Sequence, residues 1–200
     1  MSLLAEALVT LAEAKSYLRI DGSSEDTLLE TLINGSTHQL ETYTGRKLKS
    51  RTYTAEDYDG TGTPELILRE YPVSSVASVN MDRLRQFGAG TAVSLELLTV
   101  SGDEGRLTFT PGYVSSGLGI ARFLTGTKVV RITYTAGYAT VPDDLKLACL
   151  KVVAIHFAHS REGADGVVSE SIGGRSIVWV DGLPKTVTDM LMHYRRLGGI

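Results

Sequence analysis

At 200 residues, with 42% hydrophobic and 22% charged residues, the chain has a globular composition and falls outside the disordered and fibrous classes. A chain of this length can bury roughly 70% of its unfolded surface as a single domain. Twenty basic residues against 23 acidic ones leave a net charge of −3, which excludes a global attraction to nucleic acid or to an anionic membrane.

The single cysteine, Cys149, can make no internal disulfide and lies in the apolar run Leu147-Ala148-Cys149-Leu150, which predicts a buried free thiol in a reducing compartment. The start Met1-Ser2-Leu3-Leu4 lacks the basic region of a signal peptide, and no secretion is expected. The most apolar stretch, 145–157, is interrupted by Lys146, Lys151 and His156 and is too short to cross about 30 Å of hydrocarbon, so no membrane contact is expected.

In chain order, Thr10-Leu11-Ala12-Glu13 has capping-box spacing and predicts a short first helix ending near Arg19. After the turn Asp21-Gly22-Ser23-Ser24, Leu28, Leu29, Leu32, Ile33, Leu40 and Tyr43 recur at helical spacing over about 25–44, with Gly45 as the stop. From Lys49 the period becomes strand-like. Short strands are predicted over 51–54, 65–68, 73–79, 94–100, 106–110 and 128–135, separated by turns such as Asp59-Gly60-Thr61-Gly62 and Ser101-Gly102-Asp103-Glu104-Gly105. These make a small antiparallel sheet or barrel.

Pro142 with Asp143 and Asp144 opens a third helix reaching about Ser160, since acidic groups suit a helix N-terminus. Its apolar residues cover almost the whole circumference, which predicts burial on several sides and a need for partners beyond one small domain. Gly173-Gly174 marks a two-residue hairpin turn between strands at 167–172 and 175–180, with Trp179 on the second strand. A last helix is predicted over about 184–197. The expected fold class is α+β: a helical core from residues 1–49 and 136–200, with an inserted antiparallel β domain over 50–135.

Catalytic motifs are missing. The chain has no dinucleotide-binding glycine fingerprint, no P-loop and no nucleophile elbow, so no enzymatic activity, cofactor or metal is expected. His156 and His159 stand one helical turn apart, but their nearest possible co-ligands are Glu162, expected past the helix end, and Cys149, two turns back; a helix end beside a polar loop is favoured. Cys149 is too far from His156 on one helix to form a thiol–imidazole pair. Asp57-Tyr58-Asp59-Gly60 with Glu65 resembles part of a calcium loop but lacks its ligand spacing, and reads as a turn between strands. Arg46, Lys47, Lys49 and Arg51 form the densest basic run, a possible contact patch for phosphate or an acidic subunit, though cations are also expected after a helix C-terminus. Tyr194-Arg195-Arg196 combines residue types enriched at interface hot spots, followed by Leu197 and Ile200; a docking tail and a frayed end both fit. Trp179 is a further candidate interface residue.

The segments Leu11-Ala12-Glu13-Ala14-Lys15-Ser16-Tyr17-Leu18-Arg19-Ile20, Glu41-Thr42-Tyr43-Thr44-Gly45-Arg46 and Tyr71-Pro72-Val73-Ser74-Ser75-Val76 carry a resemblance, continued in Ile132-Thr133-Tyr134-Thr135-Ala136-Gly137-Tyr138 and Val141-Pro142-Asp143-Asp144-Leu145-Lys146. In that order they resemble the tailed-phage head-tail connector (adaptor) family, also found in prophages and gene transfer agents. The resemblance implies a structural virion protein of the neck, between capsid and tail, made in the cytoplasm of the bacterial host. It implies a self-assembled ring, typically of twelve copies, below the portal protein, with a stopper or tail-completion protein on another face. Packaged DNA would pass through the channel without sequence-specific binding. It also gives 184–200, including Tyr194, Arg195, Arg196, Leu197 and Ile200, a role in docking to the portal. A DNA-contacting packaging factor using the basic run is the alternative, and an enzyme assembled from Asp57, Asp59, His156 and His159 is a third possibility.

Overall fold

The computed structural model describes residues 2–110, 121–162, 169–172, 175–178 and 182–196. The architecture is α+β. The chain divides into two compact units, Met1–Leu48 with Thr140–Ile200, and Lys49–Ala139.

The helical unit contains α1 (Leu11–Leu18), α2 (Asp26–Thr44), α3 (Asp143–Glu162) and α4 (Lys185–Leu191). Helix α1 begins where its spacing predicts, because Thr10 and Glu13 exchange hydrogen bonds: the Glu13 N–H donates to Thr10 Oγ1 at 3.2 Å and the Thr10 N–H to Glu13 Oε2 at 2.7 Å. The same Glu13 carboxylate takes the Lys146 ammonium at 2.8 Å, which ties α1 to α3. Upstream, Ala7, Leu8 and Val9 are buried, and the Leu8 N–H donates to Thr37 Oγ1 of α2 at 3.2 Å.

Helix α3 is the centre of this unit, with α1, α2 and α4 all packed on it. Leu145, Ala148, Cys149, Val152, Val153 and Phe157 are buried, while Leu147 is 36% exposed. Each fully buried aliphatic side chain contributes about 2 kcal/mol, so this one helix is a large share of the unit's core. The all-round apolar pattern is answered in part within the chain: Leu147 stays exposed, and Leu150 and Ile155 are only half-buried. The helix also runs two residues beyond Ser160, and Glu162 is its last residue rather than part of a loop.

The second unit carries β1 (Arg51–Thr61), β2 (Glu65–Ile67), β3 (Val73–Met81), β4 (Ala92–Val93), β5 (Leu98–Ser101), β6 (Arg106–Phe109) and β7 (Thr125–Ala136). They form two antiparallel sheets, in the orders β1-β7-β3-β4 and β2-β6-β5. Leu66 and Leu107 from the small sheet share one core with Val79, Ile132 and Tyr134 from the large one, closed by Phe109 against Phe123 with ring centroids 4.9 Å apart. Strand β7 is central because Val130, Ile132, Tyr134 and Ala136 alternate inward along it. In the helical unit, β8 (Ser169–Ile172) and β9 (Arg175–Val178) pair with Ile172 opposite Arg175, as a two-residue hairpin requires. Gly173, Gly174 and Trp179 lie outside the described residues.

Two strand expectations are corrected. Asp59, Gly60 and Thr61 continue β1 instead of turning; Gly60 faces Gly126 across the sheet, and a Cβ on Gly60 would stand 1.5 Å from the Leu124 carbonyl oxygen. Two facing glycines thus permit a close approach where the register shifts. The stretch from Ser94 opens as a 3-10 turn, Leu95–Leu97, and becomes extended only at Leu98.

A polar cluster stands within the β unit. The phenols of Tyr58 and Tyr134 both donate to Glu56 Oε2, at 2.6 and 2.8 Å, and Arg69 Nη1 donates to Glu56 Oε1 at 2.8 Å. Burial alone would raise the Glu56 carboxyl, but these hydrogen bonds outweigh it and hold the group below its ordinary value. A carboxyl lowered by folding stabilises the protein above its unfolded pKa, and that contribution is lost as pH falls through the folded value. Glu56→Gln should therefore cost about 1 to 2 kcal/mol at neutral pH and flatten the acid limb. Urea unfolding at about pH 7 and about pH 3.5 checks this; parallel losses in wild type and variant would refute it.

Candidate docking face of the helical unit

The end of α2 organises the site. Four carbonyls at a helix C-terminus have no partner within the helix and must find one elsewhere. Here the Gly45 N–H donates to Glu41 O at 2.9 Å, and the Thr44 hydroxyl, which also donates to Leu40 O at 2.9 Å, donates to Glu41 O at 3.2 Å. Gly45 adopts the left-handed conformation, φ 71°, that a side chain would resist. The Thr44 carbonyl is taken by the Arg196 N–H at 2.8 Å, from the other end of the sequence.

That last contact explains why α4 is shorter than its sequence predicts. The helix stops at Leu191, passes through a 3-10 turn over Met192–Tyr194, and becomes extended at Arg195, φ −64° and ψ 137°. The Tyr194 hydroxyl donates to the Asp144 carboxylate, at 2.7 and 2.8 Å to its two oxygens, in the first turn of α3. Arg195 places its guanidinium carbon 5.4 Å from the Tyr43 ring centroid. Tyr194-Arg195-Arg196 is therefore a seated segment and not a frayed end, with both arginine side chains exposed at the negative pole of α2. Leu197 and Ile200 lie outside the described residues.

The basic run does not form one free patch. Arg46 is 4% exposed, and Lys47 donates to Glu41 Oε2 at 2.7 Å. The buried Glu41 also accepts the Leu48 N–H through Oε1 at 3.2 Å, which fixes the path out of α2. Lys49 and Arg51 belong to the β unit, and all four side chains take part in interactions within the chain.

Beside Tyr43 lies a groove of about 630 Å³, lined by Gly35, His38, Gln39, Thr42 and Tyr43 of α2 with Leu183 and Thr188. Sequence reading missed it and missed Asp144 as the seat of Tyr194. The available signal was the helical spacing of Gly35, His38 and Thr42, which puts these three small or polar residues on one face of α2.

Neither chemical candidate forms a site. Burial pushes the Cys149 thiol up to about 12, which keeps it protonated and unreactive. His156 Nε2 is 3.1 Å from Gln39 Oε1, and among the described residues no three His, Cys, Asp or Glu side chains gather as metal ligands. Asp57 is held by Arg131 at 2.7 Å and Asp59 accepts the Lys128 N–H at 2.8 Å; both belong to the β unit, whereas His156 and His159 belong to the helical one.

Tyr194→Phe should remove the anchor on Asp144 while leaving the ring in place, at a cost of about 1 kcal/mol. Hydrogen exchange of the backbone at Arg195 and Arg196 should speed up markedly, and unchanged protection would show that the hydroxyl does not hold the segment.

No curated protein matches the sequence. In fold, the chain is similar to a protein in the neck of an empty gene transfer agent particle computed with C6 symmetry, with a TM-score of 0.61 and 20% identity over 100% of this chain and 95% of that one. It is similar to a chain in the virion of a native gene transfer agent particle, with a TM-score of 0.57, 20% identity and the same coverage of 100% and 95%. A chain from the neck of a native particle computed with C12 symmetry gives a TM-score of 0.58 and 18% identity, again over 100% and 95%. The family model described as head completion protein matches residues 7–197. A match over nearly the whole length bears out the resemblance carried by the motifs, and the chain belongs to the head completion protein family, which is structural and not enzymatic.

Proposed function

We propose that this protein is a neck component of a phage-like particle: copies form a ring below the portal, the ring continues the DNA channel, and a stopper or tail-completion protein docks on another face. The observation that carries this reading is the family match over 7–197. Support comes from likeness in fold, along the whole chain, to proteins of gene transfer agent necks computed with C6 and C12 symmetry. In this reading the protein resides in the virion neck and works by shape and subunit contacts.

The seated segment Tyr194-Arg195-Arg196 and the groove beside Tyr43 are the proposed portal contact. A pre-ordered segment loses little conformational freedom on docking, and two exposed guanidiniums offer hydrogen bonds suited to a carboxylate surface. The alternative, a DNA-contacting packaging factor, calls for a free cationic stripe, whereas Arg46 is buried and Lys47 is paired with Glu41.

Mixing the purified protein with its portal should give ring-on-portal complexes by native mass spectrometry and negative-stain imaging. Arg195→Glu with Arg196→Glu should weaken portal binding about tenfold or more without altering the far-ultraviolet circular dichroism. A wild-type protein that leaves the portal uncomplexed would overturn the proposal; unchanged affinity in the double variant would move the contact elsewhere on the chain.

A further inference from the structure

The connection after β3 is held with unusual firmness for an exposed loop. One carboxylate, Asp82, accepts three backbone N–H groups: Leu84 at 2.8 Å through Oδ1, with Gln86 at 2.8 Å and Phe87 at 2.9 Å through Oδ2. Two residues without glycine's freedom, Arg85 at φ 58° and Phe87 at φ 49°, sit in the left-handed region. The Phe87 ring lies 4.0 Å from the guanidinium carbon of Arg131, which Asp57 grips at 2.7 and 3.1 Å. Such over-determination maintains backbone conformations that would otherwise be unfavourable for these side chains. What it presents is Leu84, 76% exposed, between the exposed Arg83 and Arg85.

The same unit displays a surface of the opposite character. Ile67, 66% exposed, lies on the edge strand β2, two residues from Glu65 and therefore on the same face. Glu65 and Glu104, 52% and 61% exposed, are joined by Arg106 at 3.6 and 3.1 Å, which leaves the patch a net negative charge. At these exposures Leu84 and Ile67 do not cover one another within a single chain.

We propose that the 82–87 loop of one copy docks on the β2 and β6 face of a second copy, with Leu84 packing on Ile67 and with Arg83 and Arg85 facing Glu65 and Glu104. A second copy is the occupant because the two patches are complementary in both properties, an apolar centre and a charged flank of opposite sign. They are also different surfaces of one molecule, so the contact is heterologous and can propagate around a closed ring. The inference rests on the ring proposed above and names surfaces that join its copies. Two arginines on one loop reach too few phosphates to sustain DNA binding at physiological salt.

The test follows self-assembly by analytical ultracentrifugation and native mass spectrometry. Arg83→Glu with Arg85→Glu should raise the midpoint concentration of assembly about tenfold or more, and adding Glu65→Arg with Glu104→Arg in the same chain should restore most of it. Separate Leu84→Cys and Ile67→Cys proteins, mixed under oxidation, should yield a disulfide between positions 84 and 67. A ring whose midpoint is unchanged in the Arg83/Arg85 variant and in Leu84→Ala overturns this inference and leaves the ring standing. Loss of DNA affinity in those variants with assembly intact overturns it in favour of nucleic acid. A wild type that does not self-associate, together with Leu84→Cys and Ile67→Cys proteins that yield no mixed disulfide, overturns ring and docking loop together.

Discussion

The need to satisfy the last carbonyls of α2 is the constraint on which the helical unit depends. Helix α2 ends against the Thr44 hydroxyl, the Gly45 N–H and the Arg196 N–H, so its termination joins residues more than 150 positions apart in sequence. From this follow the short α4, the extended backbone at Arg195, and the seat of Tyr194 on Asp144. The charges agree with the dipole of each helix: cations stand by the negative end of α2, and acidic groups occupy the first turn of α3. A hydrogen-bonding demand thus places the residues read as an interface.

The β unit is organised on a different footing. Its two sheets share an apolar core, and the charge of Glu56 is tolerated there because two phenols and a guanidinium surround it. Removing one partner from such a cluster costs more than the net worth of any single bond, because the remaining groups stay desolvated. The stacked Tyr53 and Tyr134 rings, with centroids 5.0 Å apart, bind β1 to β7 on the same face.

Much of the fold was legible because local signals agree with tertiary needs. Thr10 with Glu13, Gly45, and Pro142 with Asp143 and Asp144 each satisfy helix ends by short-range chemistry, and helix boundaries fall where they predict. Strand β7 is legible for a similar reason, since its alternation is uninterrupted from Val130 to Ala136. The errors arise where a distant partner decides. Gly60 looks like a turn residue until Gly126 is placed opposite it, and α4 looks longer until Thr44 claims the Arg196 N–H. The candidate residues Tyr194, Arg195 and Arg196 were visible as types, but that they are seated depends on Asp144 and Tyr43, which no spacing rule connects to them.

The coverage of α3 by α1, α2 and α4 has a consequence for how its stability depends on concentration. A helix most of whose apolar side chains are covered by its own chain draws that part of its stability from intramolecular contacts, which do not depend on protein concentration. The exposed Leu147, with the half-buried Leu150 and Ile155, is the part of that apolar surface whose burial would depend on concentration.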